Sequence, residues 1–314
     1  MGAVNQSVTL DFILMGLFSH SKPHLLLFYL VAVMFLIGLL GNAILLFLIH
    51  MDYRLHTPMY FLLSQLSLFD VGFPLVTIPK MVSDFLQGEN SISFAGCAAQ
   101  LFFLMLIGVA EGILLALMSY DRYVAVCHPL QYPVLMRRQV CLFMVGASWM
   151  AGVLNASIQT SITLHFPYCA TRIVDHFFCE VPALLKLSCA DTSAYELALS
   201  TEGVLILLLP LSLVTTSYGH VLGAVVRMRS KEARHKAFTT CSSHITVVVL
   251  FYGAAVFIYM VPGTYHSPYQ DNVVSLFYSL ITPTLNPLIY SLRNREVQMA
   301  LIKALSRAVI RPKR

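Results

Sequence analysis

Three carboxylic acids sit in otherwise apolar stretches of this sequence: Asp70 in FLLSQLSLFDVGFPLV, Glu111 in LFFLMLIGVAEGILLALM and Glu202 in ELALSTEGVLILLL. If those stretches cross a bilayer, a carboxylate at the centre costs about 2.5–3.5 kcal/mol, so each needs a proton, a partner, a cation or water. Asp70 and Glu111 fall in the middle of their stretches, where a helix bundle would bring them together. Two facing carboxylates share a proton or hold a cation, because like charges at close range do not both ionise cheaply. A sodium ion or a shared proton is therefore the chemistry this pair suggests, with Asn42, Ser67 and Asn286 as polar neighbours. A protonated pair that only packs is the alternative. Glu202 is placed to face a ligand cavity instead. Catalysis finds no comparable set: there is no HExxH, nucleophile elbow or P-loop, so no enzyme activity and no resident cofactor is expected. His176 with Cys179 and Glu180 has the residue types of a metal site, but Cys179 is wanted for a disulfide. His244 reads as a polar packing residue.

The elements that must hold these residues follow from composition. Of 314 residues, 58% are hydrophobic and 11% charged, where soluble proteins carry about 25% charged residues. Mean hydropathy is +0.75. A soluble enzyme and a disordered chain are both excluded, and the surface must face lipid. Seven stretches reach the roughly 20 apolar residues that a helix needs to span the hydrocarbon core: 25–49, 59–82, 95–120, 140–163, 196–226, 238–262 and 272–292. The expected fold is an all-α membrane protein, a seven-transmembrane helix bundle over 25–292, with 1–24 before it and a tail over 293–314. Pro74, Pro79, Pro283 and Pro287 interrupt the second and seventh stretches, which membranes tolerate where neighbouring helices satisfy the freed backbone. In the tail, Val297, Leu301, Leu305 and Val309 recur every four residues among Arg295, Lys303 and Arg307. That pattern predicts a short amphipathic helix on the inner membrane surface, its cations against anionic lipid.

Charge orients the bundle. With the N-terminus outside, the inner segments hold Arg54, Arg122, Arg137, Arg138, Arg227, Arg229, Lys231, Arg234 and Lys236. The tail adds Arg293, Arg295, Lys303, Arg307, Arg311, Lys313 and Arg314. Sixteen of the 20 basic residues are then inside, leaving Lys22, Lys80, Arg172 and Lys186 outside, as the positive-inside rule requires. A basic face for nucleic acid is not formed. Asn5-Gln-Ser7 is a glycosylation sequon on the outer side; Asn155-Ala-Ser157 lies within the fourth stretch and should stay unused. Cys97, Cys169, Cys179 and Cys189 fall outside, where they can pair in any of three ways, while Cys127, Cys141 and Cys241 stay reduced inside.

The motifs add a resemblance. Met118-Ser-Tyr-Asp-Arg-Tyr-Val-Ala-Val-Cys127 closes the third span and Leu55-His-Thr-Pro-Met-Tyr60 forms the first inner loop. Lys236-Ala-Phe-Thr-Thr-Cys-Ser-Ser-His244 opens the sixth span and Pro283-Thr-Leu-Asn-Pro-Leu-Ile-Tyr290 ends the seventh. With Gly41-Asn42, this ordered set resembles an odorant (olfactory) receptor of the rhodopsin-like G-protein-coupled family, along essentially the whole chain. The resemblance implies a plasma-membrane receptor that binds a small odorant and activates a heterotrimeric G protein of the stimulatory olfactory type, raising cyclic AMP. It implies a G-protein switch at Asp121, Arg122 and Tyr123, with Tyr218, Asn286, Pro287 and Tyr290 rearranging beneath it. It pairs Cys97 with Cys179, leaving Cys169 for Cys189, and it strengthens the cation reading of Asp70 and Glu111. One departure from the wider rhodopsin-like pattern stands out: the only Trp is Trp149, and Phe251-Tyr252-Gly253 occupies the toggle position of the sixth span. Tyr252 is the toggle candidate.

The family also implies a ligand pocket among spans 3, 5, 6 and 7. Helical spacing groups Leu101, Leu104, Met105 and Gly108 on span 3, Leu199, Glu202 and Ile206 on span 5, and Tyr252, Ala255 and Tyr259 on span 6. Such a lining suits a small, mostly hydrophobic ligand. Partners are thus an odorant, a G protein and membrane lipid. The alternatives are the same receptor with an internal metabolite as ligand, or an ion-coupled transporter using Asp70 and Glu111. A transporter would show repeated halves and paired broken helices, which the sequence lacks. The orientation has a direct test. Glycosidase treatment should shift the wild-type chain on a gel, Asn5→Gln should abolish that shift, and Asn155→Gln should leave it intact.

Overall fold

A bilayer core of about 30 Å asks for roughly 20 helical residues, yet the helices of this chain run well past that length. The computed structural model describes residues 11–17, 22–169, 172–260 and 267–309. Its helices are α1 (Lys22–Met51), α2 (Pro58–Gln87), α3 (Phe94–Cys127), α4 (Tyr132–Leu135), α5 (Arg138–His165), α6 (Val181–Leu185), α7 (Ser193–Arg227), α8 (Lys231–Met260), α9 (Pro268–Leu276), α10 (Thr282–Arg293) and α11 (Arg295–Val309). A π-helical turn, Phe277–Ile281, joins α9 to α10. Seven of these units are long and apolar enough to cross a membrane, the last combining α9, the π turn and α10.

Apolarity marks where lipid is, whereas a helix ends where its terminal N–H or C=O groups find a cap. The observed bounds therefore exceed the expected stretches, except at the end of the sixth, where the expected residues 261–262 lie outside the described ones. Ser93 starts α3 by accepting the Gly96 N–H at 3.0 Å, and Gly88 stops α2 at φ 71°, a left-handed conformation that glycine adopts without strain. The sixth span begins at Lys231 rather than 238. Lys80, expected in an outer segment, lies within α2 and pairs with Asp84 one turn on.

Proline tolerance has a visible cause. Pro287 has no N–H for the carbonyl of Pro283, and Asn42 Nδ2 from α1 donates to that oxygen at 3.1 Å. Pro74 and Pro79 leave α2 continuous. Close approach depends on small residues: a Cβ on Gly152 of α5 would stand 2.5 Å from the Leu106 carbonyl oxygen of α3. Around the belt, large apolar side chains stay exposed, among them Leu26 at 73%, Phe143 at 76% and Leu209 at 67%. A surface this apolar is a lipid surface.

One end carries a small sheet that the all-α expectation did not include. Strand β1 (Phe12–Leu14) lies between β2 (Ser91–Ile92), antiparallel, and β3 (Ile173–Val174), parallel. Phe12 and Leu14 are buried and Ile13 is exposed, the alternation of a one-sided strand. Their burial contributes about 1.5–3 kcal/mol each. The packing is against Leu101, Val181 and the Cys97–Cys179 disulfide, whose Cα atoms are 5.5 Å apart. Cys169–Cys189 closes the same end, and Cys127, Cys141 and Cys241 are free, as expected. Asn5 lies outside the described residues.

At the opposite end, α11 is tethered by its first turns. Tyr60 donates to Asn294 Oδ1 at 3.0 Å and to Glu296 Oε2 at 2.9 Å. Lys303 Nζ stands 3.7 Å from Asp52, whose carboxyl the Arg54 guanidinium holds well below the usual carboxylate range.

The α3–α5 contact yields a test. Gly152→Val should destabilise the bundle by about 1–3 kcal/mol through overpacking, lowering both surface expression and the thermal midpoint of the detergent-purified protein. Gly146→Ala, where a Cβ meets nothing within 4 Å, should match wild type in both.

Candidate functional site

Beneath the sheet lies a cavity of about 170 Å³. Its wall is one face of α3 (Leu101, Leu104, Met105, Gly108), one of α7 (Leu199, Glu202, Ile206) and one of α8 (Tyr252, Ala255). Nine of the ten residues grouped from helical spacing thus meet around one space. The side chain of Tyr259, the tenth, lies outside the described residues. Three contributors were missed, one of them Phe73 of α2. Asn155 and Gln159 of α5 also line the cavity, as does the segment Phe178–Pro182 of the long loop. The α5 signal was present in the sequence: two amides four residues apart share a helix face. The loop segment is drawn in by the Cys97–Cys179 disulfide and by Gln100, whose Oε1 accepts the Cys179 N–H at 2.8 Å.

The polar wall is a connected network. Asn155 Nδ2 and Gln159 Nε2 both donate to the Glu202 carboxyl. Tyr195 donates to Gln159 Oε1 and lies 3.1 Å from Thr163 Oγ1. On the other side, the Tyr252 hydroxyl donates to the Gly112 carbonyl at 2.7 Å, joining α8 to α3 at the cavity floor. Glu111 is buried and also lines the cavity.

Below the floor, Asp70 accepts from Asn286 Nδ2 at 2.8 Å and interacts electrostatically with Glu111. Asn42 belongs to the same polar layer through Pro283, and the buried Ser67 hydroxyl has no partner among the described residues. No cluster of three or more metal-ligating side chains occurs among the described residues. That includes the His176, Cys179 and Glu180 set. Cys179 is in its disulfide, and His176 Nε2 lies 3.1 Å from Ser275 Oγ.

The far end of α3 lines a second cavity of about 640 Å³, whose wall includes Asp121, Arg122, His244 and Tyr290. Arg122 donates through Nε and Nη2 to Asp121 Oδ2, and Tyr132 of α4 donates to Asp121 Oδ1 at 2.8 Å. The guanidinium is thereby held along its own helix. Tyr123 lies 3.1 Å from His128 Nε2, and the Tyr218 hydroxyl lies 2.6 Å from His244 Nδ1. Tyr290 is half-buried, and its hydroxyl, itself buried, has no partner among the described residues. Asn286 and Pro287 sit one turn before it, between Asp70 and α1.

Comparison with known proteins places this geometry in context. A family model described as olfactory receptor matches residues 31–308. The human olfactory receptor 2Z1 is 80% identical over 311 residues, covering 99% of each chain. The mouse olfactory receptor 2V1 is 56% identical over 305 residues, covering 97% of this chain and 96% of that one. Among solved structures, squid rhodopsin superposes with a TM-score of 0.68 at 19% identity, covering 89% of this chain and 84% of its own. At that identity it speaks for the fold alone.

The cavity's cap carries a pH-dependent test. His176 is buried beside Phe178, whose N–H lies 3.4 Å from His176 Nδ1. Burial lowers its pKa to about 4, with Lys186 reinforcing this and Asp271 opposing it. The unfolded segment takes up a proton near the ordinary value of about 6.5. Between those values the unfolded state binds more protons, so stability is complete above about pH 6.5 and declines as pH falls towards 4. The thermal midpoint of the purified protein should therefore drop over that window, and His176→Gln should flatten the drop.

Proposed function

Because this chain belongs to the olfactory receptor family, we propose that it receives a small, mostly hydrophobic odorant in the cavity beneath the sheet. It then activates a heterotrimeric G protein at the Arg122 end. The family consists of signalling receptors rather than enzymes. The sheet end faces outside and α11 lies on the inner membrane surface, in keeping with the sixteen basic residues assigned to that side.

One observation carries the reading. A single helix, α3, forms a wall of both cavities: Leu101 to Gly112 at one end, Met118 to Arg122 at the other. A cavity of about 170 Å³ is close to one of about 150 Å³ that takes up benzene, so the ligand is small. Its lining is apolar with a few fixed polar groups, the usual composition of a small-molecule site.

Tyr252 couples the two ends, because its hydroxyl bond to Gly112 ties α8 to α3 just below the ligand. A ligand that favours the conformation with this bond rearranged also favours α8 swinging away from α3. It must bind that state more tightly than the resting one, since equal affinity shifts nothing. Swinging carries His244 away from the Tyr218 hydroxyl and widens the cavity that Arg122 lines, opening the guanidinium, a permanent cation with five donors, to the G protein. Between the cavities, one proton or sodium ion shared by Asp70 and Glu111 relieves the repulsion of two ionised carboxylates and leaves the pair with a single negative charge. The G protein is of the stimulatory olfactory type and the messenger is cyclic AMP.

The test is cyclic AMP output from cells expressing the full chain, screened against chemically diverse odorants. At least one odorant should raise it in a saturable manner. Arg122→Ala should abolish the response while leaving surface staining measurable, and a ligand-dependent signal surviving that substitution refutes the switch.

A further inference from the structure

Among the described residues, every titratable group on the wall of the sheet-end cavity, tyrosines aside, is an acid: Glu111, Glu180 and Glu202 line it, and no described lysine, arginine or histidine does so. Glu180 lies at the cap, 3.7 Å from His176 Nε2. Glu202 is held by two amides from α5, which orient its carboxyl and use two of its roughly four lone-pair positions. The remaining positions are open to a donor from a ligand. Glu111 is 3% exposed, lines the same cavity, and has no hydrogen-bond partner among the described residues.

The donors are disposed the other way. Asn155 Nδ2 and Gln159 Nε2 already serve Glu202, and the Tyr252 hydroxyl already serves Gly112. A ligand carboxylate entering here would meet acids and no cation. A ligand ammonium would meet open acceptors and, at the wall, the rings of Phe73, Phe178, Phe251 and Tyr278, whose faces attract cations. We infer that the ligand of this cavity is a compact, protonated primary amine, its ammonium on Glu202 and its apolar body against α3 and α8. The volume limits that body to about six to ten non-hydrogen atoms, judged against the benzene-sized cavity. The inference rests on the reading of this cavity as the ligand site.

Binding is measured by thermal shift of the detergent-purified full chain, which is independent of G-protein coupling because any ligand of the native state raises its midpoint. The probes are cyclohexylmethylamine and 2-phenylethylamine, each with the alcohol and carboxylic acid of matching skeleton. At least one amine should bind at least tenfold more tightly than its alcohol, and the acids should not bind. Glu202→Gln should weaken the amine at least tenfold and leave the alcohol within about twofold. Glu202→Asp, which keeps the charge but withdraws it by one methylene, should retain a reduced preference for the amine. It also keeps the question answerable should Glu202→Gln not fold.

No amine binding, alcohols or acids binding as well as amines, or an undiminished amine preference in Glu202→Gln each overturns the inference. Gly108→Leu separates this from failure of the underlying reading. A Cβ there meets nothing within 4 Å, so leucine fills the cavity without moving α3 and should abolish binding of every probe. Amine binding that survives Gly108→Leu lies elsewhere, and the cavity assignment itself then falls.

Discussion

Hydrocarbon offers no water to an unpaired N–H or C=O, so every polar group carried into the membrane must find its partner within the protein. That requirement gives the helices their continuity and also explains most of the contacts between them. Asn42 reaches from α1 to the carbonyl that Pro287 leaves free. Thr284 of α10 donates to the Met34 carbonyl of α1 at 3.2 Å. Gln100 spans the bundle edge, donating to the Val76 carbonyl of α2 and accepting from the Cys179 N–H. Each bond is made only if two helices approach closely, and small residues permit this. Gly41 lies under Pro287, and Gly152 lies under the backbone of α3.

The same constraint organises the interior as a layered path. Glu202 and its amides form the top layer, Tyr252 and Glu111 the floor, Asp70 with Asn286 the middle, and Arg122 with Asp121 and Tyr132 the bottom. Each layer is built on its own few hydrogen bonds, and Glu111 of the floor also interacts electrostatically with Asp70 of the middle. Discrete arrangements of this kind switch between states rather than deform continuously. The sheet and two disulfides close the upper layer, holding Phe178 to Pro182 over the cavity and tying that segment to α3 through Cys97.

Much of this was legible beforehand. The seven spans and the amphipathic α11 follow from periodicity and apolarity, which are properties of single segments, whereas the choice of spans 3, 5, 6 and 7 for the pocket came from the family resemblance and helical spacing only grouped the side chains on each. The sheet was not legible. Phe12 to Leu14 is too short to announce itself, and its partners lie about 80 and 160 residues away in sequence. Asn155 was read only as a sequon, although Gln159 one turn later marked a polar face. The partner of Asp121 was likewise hidden, because Tyr132 belongs to a one-turn helix in a loop.

What the sequence determined alone was how many times the chain crosses the membrane, which acids it carries there and where its positive charge gathers. Transfer from water to lipid is decided segment by segment, nearly independently of the rest of the fold. Only the tertiary structure decided which partners those acids acquire. Glu202 meets Asn155 and Gln159, and Asp70 meets Asn286, because of the rotation and spacing of whole helices. Those are set by contacts such as Gly152 against Leu106. The scarcity of charge thus placed the protein in the membrane, while helix packing determined what the few buried charges face.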